Sequence, residues 1–209
     1  MIFQTPTELV SYFVIGLFSY LVGSISFAIL ASKFRGLRDP RSYGSNNPGA
    51  TNVLRTGDKI AAISTLLGDI LKGYVVIFSI YFLVTNEILS LDLIYSLSIG
   101  SLSVFLGHLY PIFFKFKGGK GVATAFGVIL GIDHLLGICS LLVWIAVFVF
   151  CRVSALSAVI TALIIPFLSL VIIRDVWGVE ADILIIVQFF ISILLIFRHK
   201  QNILSLLNS

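Results

Sequence analysis

The chain has 209 residues, of which 58% are hydrophobic and 11% are charged, and its mean hydropathy is +1.09. Since about a quarter of the residues of an average soluble domain are charged, this composition excludes a protein whose helices face water and indicates one that lies in lipid. The net charge of +4 would suit nucleic acid in a soluble protein, but here it fits basic loops beside anionic headgroups, so we expect membrane lipid and no nucleic acid as a partner.

Five stretches of the chain have the length and apolarity of membrane-spanning helices. A hydrocarbon core of about 30 Å needs about 20 apolar residues per helix. We interpret the first stretch as a retained transmembrane helix rather than a signal peptide, because Glu8 precedes it instead of a basic region and no small-residue cleavage site follows. The five stretches are residues 9–31, 60–84, 93–114, 156–173 and 183–197.

A further apolar stretch, residues 122–150, is interrupted by Asp133 and His134 and is too long for one comfortable span. We predict a half-length helix followed by a return helix. The chain is then a single-domain, all-α polytopic membrane protein over residues 1–209, with about seven transmembrane helices. In a five-span alternative, residues 122–150 form only a re-entrant excursion, and the same loops stay on the inner side.

The charged residues indicate on which side of the membrane each loop lies. Short cytoplasmic loops hold an excess of Lys and Arg, and with the N-terminus outside and the C-terminus cytoplasmic, only Arg174 and Lys72 of the 14 basic residues lie elsewhere. Acidic residues gather on the opposite side. We therefore predict a multi-pass protein of the bacterial cytoplasmic membrane whose polar loops face the cytoplasm.

The first cytoplasmic loop, residues 44–52, is rich in small and amide-bearing residues and is followed by Arg55. Small residues let backbone N–H groups approach an anion, and an arginine can bind phosphate through two parallel hydrogen bonds. The alternative is an ordinary turn, since Gly, Pro, Ser and Asn are common in loops. The candidate residues are Gly44, Ser45, Asn47, Gly49, Thr51 and Asn52.

The second cytoplasmic loop places three glycines around a lysine at a helix start: Gly118, Gly119, Lys120 and Gly121. Free N–H groups, the helix dipole and an ammonium together favour an anion. The nucleotide-binding loop motif is absent, because Lys120 is followed by glycine instead of Ser or Thr. The alternative interpretation is a flexible basic turn.

Other polar residues are weaker signals taken singly. Ser154 follows the fifth helix, and Arg198, His199 and Asn202 follow the last one, on the same predicted face. Asp69 and Lys72 share one face of the second helix, where they can form an ion pair. The pair either orients a nearby loop or contacts substrate, and we favour the structural role. Cys139 and Cys151 lack ligand-like spacing, so we expect no disulfide, metal or cofactor.

Residues 44–52, 107–124 and 198–203 together resemble the three signature regions of the bacterial acyl-phosphate:glycerol-3-phosphate acyltransferases. The resemblance implies transfer of a fatty acyl group from acyl phosphate to the 1-hydroxyl of glycerol 3-phosphate, giving lysophosphatidic acid and phosphate. This is the first acylation of phospholipid biosynthesis, independent of acyl-CoA. The implied partners are both substrates, membrane lipid and the enzyme that forms acyl phosphate.

The resemblance also implies roles for individual residues. Lys120 and the glycine amides hold the departing phosphate, while Arg55 and Ser45 help to orient glycerol 3-phosphate, whose own phosphate is the hypothetical base. An alternative from another class is a carrier for a phosphorylated solute, whose site should lie near the membrane midplane. The implied catalytic residues are Ser45, Asn52, Lys120, His199 and Asn202, and the implied binding residues are Gly44, Asn47, Gly49, Thr51, Arg55, Gly118, Gly119, Gly121 and Ser154.

Overall fold

The computed structural model describes residues 5–207, and the regular structure of this range is entirely helical, which confirms the predicted all-α class. Short 3₁₀ turns occur at Pro40–Ser42, Ile112–Phe114 and Val179–Ala181. The α-helices of residues 5–207 are α1 (Pro6–Gly23), α2 (Phe27–Phe34), α3 (Ala50–Leu54), α4 (Lys59–Thr85), α5 (Leu93–Leu109), α6 (Val122–Ile132), α7 (His134–Cys151), α8 (Ser154–Trp177), α9 (Asp182–Arg198) and α10 (Lys200–Leu207).

Six segments within residues 5–207 are long and apolar enough to cross a membrane, and many of their large apolar side chains are exposed on the outer surface of the bundle. Such a surface needs lipid rather than water around it, so the chain is a membrane protein. The six segments are Pro6–Phe34, Lys59–Thr85, Leu93–Phe114, His134–Cys151, Ser154–Trp177 and Val179–Arg198.

The predicted division of residues 122–150 is confirmed. Helix α6 has 11 residues, which at 1.5 Å each is about half the thickness of a bilayer core. It ends at Asp133, whose extended backbone reverses the chain and whose carboxylate accepts the amide of Leu136 at 2.7 Å to cap α7. The total number of crossings stays a prediction.

The prediction of one continuous helix over residues 9–31 is wrong, because the chain breaks between α1 and α2 at Ser24–Ser26. Gly23 lies so close to α5 that a methyl group there would be 2.1 Å from the carbonyl oxygen of Val104. The Ser24 hydroxyl donates to the carbonyl of Tyr20 at 2.8 Å. The break leaves the Ile25 carbonyl without its helical partner, and Lys72 of α4 donates to that oxygen at 2.8 Å.

Helix α4 packs against five other helices, α1, α2, α3, α5 and α6. Its approach to α6 is closest, because glycines replace side chains on both helices. A methyl group at Gly127 would lie 2.0 Å from the Ile70 carbonyl oxygen, and one at Gly73 would lie 2.5 Å from that of Thr124. Backbones that meet this closely are typical of membrane helix pairs. The start of α6 is thereby held firmly against α4.

Candidate active site

Three segments meet at one end of the helix bundle, here called the polar end: the loop between α2 and α4, the loop between α5 and α6, and the junction of α9 and α10. Arg41 of the first loop donates to the carbonyl of Phe114 in the second at 3.2 Å. The ammonium of Lys120 in the second loop donates to the Asn202 side-chain oxygen in α10. The predicted convergence of both loops and the tail is therefore present.

Asn52 is buried in the first loop, where its side-chain nitrogen and oxygen both form hydrogen bonds. Its Nδ2 donates to the carbonyls of Pro40 at 2.7 Å and Tyr43 at 3.1 Å, and its Oδ1 accepts the backbone N–H of Ser45 at 3.0 Å. A side chain with these partners shapes the loop and has no donor left for a substrate. These hydrogen bonds give Asn52 a supporting role in the loop, and its predicted catalytic role stays a prediction.

Gly44 adopts the left-handed conformation, with φ +59°, and brings the loop against Arg55. A methyl group on Gly44 would lie 3.1 Å from Nη1 of Arg55 and 2.3 Å from Oδ1 of Asn52. The next residue, Ser45, is exposed. The loop backbone at Gly44, the residue before Ser45, therefore lies against the guanidinium group of Arg55.

The remaining candidates of this loop surround the short helix α3. Gly49 is its N-cap residue, and the side-chain amide of Asn47 lies close to Gly49, 3.0 Å from where a methyl group there would be. Thr51 is exposed within α3. The Thr51 hydroxyl has no hydrogen bond to another residue of 5–207.

The second loop is built on the C-terminal end of α5. A methyl group at Gly118 would lie 2.1 Å from the His108 carbonyl oxygen, and one at Gly119 would lie 2.2 Å from Nε2 of His108. The amide of Gly119 donates to the His108 carbonyl at 3.2 Å. The fold itself thus uses the Gly119 N–H group, and binding of phosphate by the glycine amides stays a prediction.

Gly121, which caps the start of α6, also meets a packing demand. Its φ is +88°, and a methyl group there would lie 2.3 Å from the ring of Phe105. The glycines thus let the loop lie directly on α5, and this close approach carries Lys120 to the polar end.

Arg198 holds the second loop from its other side, a role that the sequence only hinted at. Its guanidinium donates to the carbonyls of Gly118 at 3.0 Å and Gly119 at 2.9 Å, and it stacks over the ring of Tyr110 at 5.6 Å. The signal available beforehand was an arginine directly before His199 at a helix end. Because only neutral carbonyls receive its hydrogen bonds, its positive charge is retained at the polar end.

Lys120 is half-buried among other cations. Burial, followed by the positive charges of Arg198 and Arg55, lowers the pKa of Lys120. Its hydrogen-bond partner Asn202 is neutral. Overlapping positive fields without a carboxylate partner at this lysine favour the binding of an anion.

His199 is buried beside this lysine and is neutral at pH 7. Its Nδ1 lies 2.8 Å from the carbonyl oxygen of Leu195 one turn earlier, so the proton is assigned to Nδ1 and Nε2 is left as an acceptor. Burial above all, together with the charges of Lys120 and Arg198, lowers its pKa to about 4. This imidazole can accept a hydrogen bond from a hydroxyl group.

A cavity of about 500 Å³ opens at the polar end. Arg41 on its wall is paired with Asp39 at 2.7 Å, an ion pair that holds the pKa of that carboxyl below its usual value. Lys117 is exposed. The cationic lining of this cavity suits a phosphorylated ligand. The lining residues are Arg41, Asn46, Pro48, Phe116, Lys117, Gly118 and Arg198.

Two further predictions concern the periphery of the site. Ser154 is the first residue of α8, half-buried, and its hydroxyl has no hydrogen bond to the rest of residues 5–207, although α10 packs against α8. The predicted pair of Asp69 and Lys72 is confirmed, with 2.8 Å between Oδ1 and Nζ. Within the same described range, no group of three or more His, Cys, Asp or Glu side chains is placed to hold a metal ion.

Comparison with known proteins gives a consistent result. Residues 13–209 match the family described as glycerol-3-phosphate acyltransferase. Curated proteins of that name from Paraburkholderia phymatum and Nitrosomonas eutropha are 47% identical over 198 residues and 50% identical over 189 residues. These alignments cover 92% of this chain and 88% of the first relative, and 90% of this chain and 90% of the second.

Two crystal structures of PlsY, an integral membrane glycerol 3-phosphate acyltransferase, share the fold. Its glycerol 3-phosphate form superposes with a TM-score of 0.82 at 33% identity, and its lysophosphatidic acid form with a TM-score of 0.80 at 31% identity. Each comparison covers 95% of this chain and 92% of the PlsY chain.

Proposed function

Because the chain belongs to the glycerol-3-phosphate acyltransferase family, we infer that it is an enzyme that acylates glycerol 3-phosphate to lysophosphatidic acid, with acyl phosphate as the donor. The observation that carries this inference is the set of cations at the polar end. Arg55 and Arg198 both lie within electrostatic reach of Lys120. A reaction between two phosphorylated substrates needs such a site.

Acyl phosphate is a mixed anhydride, so the reaction requires positioning and charge neutralisation more than a protein nucleophile. The 1-hydroxyl oxygen of glycerol 3-phosphate attacks the acyl carbonyl carbon. The bond between that carbon and the bridging phosphate oxygen breaks, and inorganic phosphate leaves with the bonding electrons. Lys120, oriented by Asn202, neutralises the charge that develops on the leaving phosphate.

The hydroxyl proton passes to a phosphate oxygen of glycerol 3-phosphate. A phosphate monoester has a second pKa of about 6, whereas the pKa of His199 is lowered to about 4. The substrate phosphate is therefore the stronger base of the two. His199 accepts a hydrogen bond from a glycerol hydroxyl at Nε2, and Arg55 with the Ser45 hydroxyl binds the phosphate of the same substrate.

The other predicted residues shape the site in this proposal. Asn52 and Gly44 hold the Ser45 segment against Arg55, and Arg198 holds the glycine segment. Contact of Ser154 with a substrate stays a prediction. The remaining shaping residues are Asn47, Gly49, Thr51, Gly118, Gly119 and Gly121.

We also propose that the protein crosses the bacterial cytoplasmic membrane about seven times, with the N-terminus outside, the C-terminus in the cytoplasm and the polar end facing the cytoplasm. Basic residues gather at that end, as the positive-inside rule requires. The acyl chain of the donor lies between helices, while the cytoplasm supplies glycerol 3-phosphate. An acyl-phosphate-forming enzyme supplies the donor.

The experiment is an assay of purified protein with synthetic acyl phosphate and glycerol 3-phosphate, in which lysophosphatidic acid and released phosphate are both quantified. Equal amounts of the two products are expected. A parallel reaction replaces acyl phosphate with acyl-CoA and contains no acyl-phosphate-forming enzyme. Robust product from acyl-CoA would refute the donor assignment, and uptake of glycerol 3-phosphate into vesicles without acylation would indicate a carrier instead.

A further inference from the structure

A buried ion pair in α4 lies directly beneath the polar end. Asp69 and Lys72 are 3% and 4% exposed. Nζ of Lys72 lies 2.8 Å from Oδ1 of Asp69 and 2.9 Å from Nδ1 of His108, and it donates to the Ile25 carbonyl at 2.8 Å. Nδ1 of His108 also lies 3.5 Å from the same Asp69 oxygen. A buried ion pair contributes little net stability, since desolvation of both charges offsets their attraction. Net stability therefore does not explain why this ion pair is buried here, and its contacts indicate another role.

The contact with Lys72 determines the state of His108. An ammonium group has donors only, and Nζ of Lys72 at 2.9 Å lies closer to Nδ1 of His108 than the Asp69 carboxylate oxygen does at 3.5 Å. Nδ1 is therefore assigned as the acceptor and carries no proton. The hydroxyl of Thr124 lies 3.1 Å from the same nitrogen. The ring is consequently neutral, its proton is assigned to Nε2, and its orientation is fixed by groups on α4 and α6.

The Nε2 side of the same ring faces the glycine segment. Nε2 would lie 2.2 Å from a methyl group at Gly119, and the His108 carbonyl accepts the Gly119 amide at 3.2 Å. His108 thus contacts the residue before Lys120 through its ring and its backbone. Through Thr124 it also contacts the first turn of α6, which follows Lys120.

We propose that His108 is a positioning residue for Lys120, held in its neutral Nε2–H form by the Asp69–Lys72 pair and placing the glycine segment so that Lys120 meets the leaving phosphate. This proposal rests on the function proposed above for Lys120. The ion pair is then a support for the active site. It links the break between α1 and α2 to the loop that carries the catalytic lysine.

A shift of Lys120 has a kinetic consequence. Displacing a catalytic group by about 1 Å can cost about 100-fold in rate. Since Lys120 acts on the donor, the turnover number and the KM for acyl phosphate should respond to changes at His108. The KM for glycerol 3-phosphate, which depends on Arg55 and Ser45, should not.

Two variants of His108 separate its two contacts. The amide of asparagine reaches the position of Nδ1, so His108→Asn keeps an acceptor for Lys72 but withdraws from Gly119. The amide of glutamine reaches the position of Nε2, so His108→Gln fills the space beside Gly119. We expect kcat to fall about 10-fold or more for His108→Asn and about threefold or less for His108→Gln, with the KM for glycerol 3-phosphate within about twofold of wild type in both.

The matched control is Ser101→Ala in the same helix, where the buried hydroxyl bonds only to the Leu97 carbonyl at 2.6 Å. This variant should keep the wild-type kcat. Equal losses of kcat in both His108 variants that follow their losses of thermal stability would indicate a merely structural histidine and would overturn the proposal. So would a His108→Asn enzyme with wild-type kcat.

The ion pair is tested by removing both charges at once. Lys72→Met alone leaves a buried, unpaired carboxylate and endangers folding, whereas Asp69→Asn combined with Lys72→Met removes both charges. We expect the double variant to lower kcat by a similar factor to His108→Asn. Adding His108→Asn to the double variant should lower kcat no further. Multiplicative losses would show that the pair and His108 act independently, against the proposal.

A readout without substrate distinguishes this proposal from the proposed function. Purified protein is treated with an amine-reactive reagent, and modification of Lys120 is measured by mass spectrometry relative to Lys117 in the same loop. His108→Asn should change this ratio by about threefold or more, and Ser101→Ala should not. An unchanged ratio would refute the positioning role. If wild-type protein made no lysophosphatidic acid, the ratio would still report on His108, and only the proposed function would fail.

Discussion

At the scale of single residues, the polar end combines positive charge with groups that are kept neutral. Burial and neighbouring cations lower the pKa of Lys120 and bring that of His199 to about 4. Both effects weaken when an anion binds, because the anion offsets the positive field. The lysine is therefore strengthened as a cation at the moment when a phosphate group arrives.

Replacing Lys120 by alanine should nearly abolish turnover. Loss of one group that stabilises developing charge typically costs about 10²- to 10³-fold in kcat, while a loop lysine contributes little to stability. Steady-state kinetics and thermal unfolding in detergent measure the two effects. Lys33→Ala, an equal change of charge at an exposed position of α2, is the control that should keep its activity. Substantial turnover by Lys120→Ala would remove this lysine from the mechanism.

His199 should make the protein less stable in acid. The pKa of His199 is lowered to about 4 in the folded state, whereas an unperturbed histidine has a pKa of about 6.5. The unfolded chain therefore takes up a proton first, and the stability present above pH 6.5 is lost as the pH falls towards 4.

For this residue the loss between pH 7 and pH 5 is roughly 2 kcal/mol. His199→Asn keeps a donor for the Leu195 carbonyl but does not titrate, so its unfolding temperature should fall less over the same range. Thermal unfolding at several pH values makes the comparison. Identical pH dependence in both proteins would mean that His199 is not the neutral, buried group described here.

At the scale of helices and loops, the candidate site is built where helices are interrupted or begin. The interruption between α1 and α2 exposes the Ile25 carbonyl to Lys72, and α6 starts at the glycine loop. The close approach of α4 and α6 holds the start of α6 in place beside the polar end. The glycines at that contact therefore contribute to the position of the site.

Gly127→Ala should destabilise the bundle. The added methyl group would lie 2.0 Å from the Ile70 carbonyl oxygen, which belongs to rigid helix backbone. Overpacking of this kind typically costs about 1–3 kcal/mol. Gly16→Ala is the matched control, because its methyl group would meet only Ile99 at 3.3 Å and Ser103 at 3.4 Å. Unfolding temperatures should fall clearly for Gly127→Ala and little for Gly16→Ala, and the reverse order would contradict the packing described.

At the scale of the whole molecule, the proposed function brings a soluble substrate and a lipid-borne donor together at one end of a membrane-embedded bundle. The loops and the tail that form the polar end come from distant parts of the chain, and hydrogen bonds such as that between Lys120 and Asn202 join them. This arrangement requires all of them to lie on the same side of the membrane.

Single cysteines should test that requirement. In a chain without Cys139 and Cys151, cysteines at Asn46 and Lys117 should react with a membrane-impermeant maleimide only from the cytoplasmic side. A cysteine at Glu180, in the turn between α8 and α9, should react only from outside. Labelling of intact cells and of inverted vesicles makes the comparison. External labelling at Asn46 or Lys117 would contradict the proposed orientation.

The sequence by itself determined the all-α membrane class, the division at Asp133, the pairing of Asp69 with Lys72 and the segments that meet at the polar end. Each depends on information within one short stretch. Hydropathy reports whether a segment prefers lipid, a polar residue in an apolar run marks a helix end, and residues three apart share a helix face. The signature regions likewise are local strings that resemble a known family.

Only the tertiary structure decided how individual polar atoms are used. Neighbouring segments determine the break after Gly23, the burial of Asn52 and the use of the Gly119 amide by the His108 carbonyl. The link between Lys72 and His108 joins residues that are 36 positions apart in the chain. Hydropathy and spacing within one segment do not specify which distant segment will pack against it. The partners of a buried donor or acceptor are therefore known only once the helices have packed together.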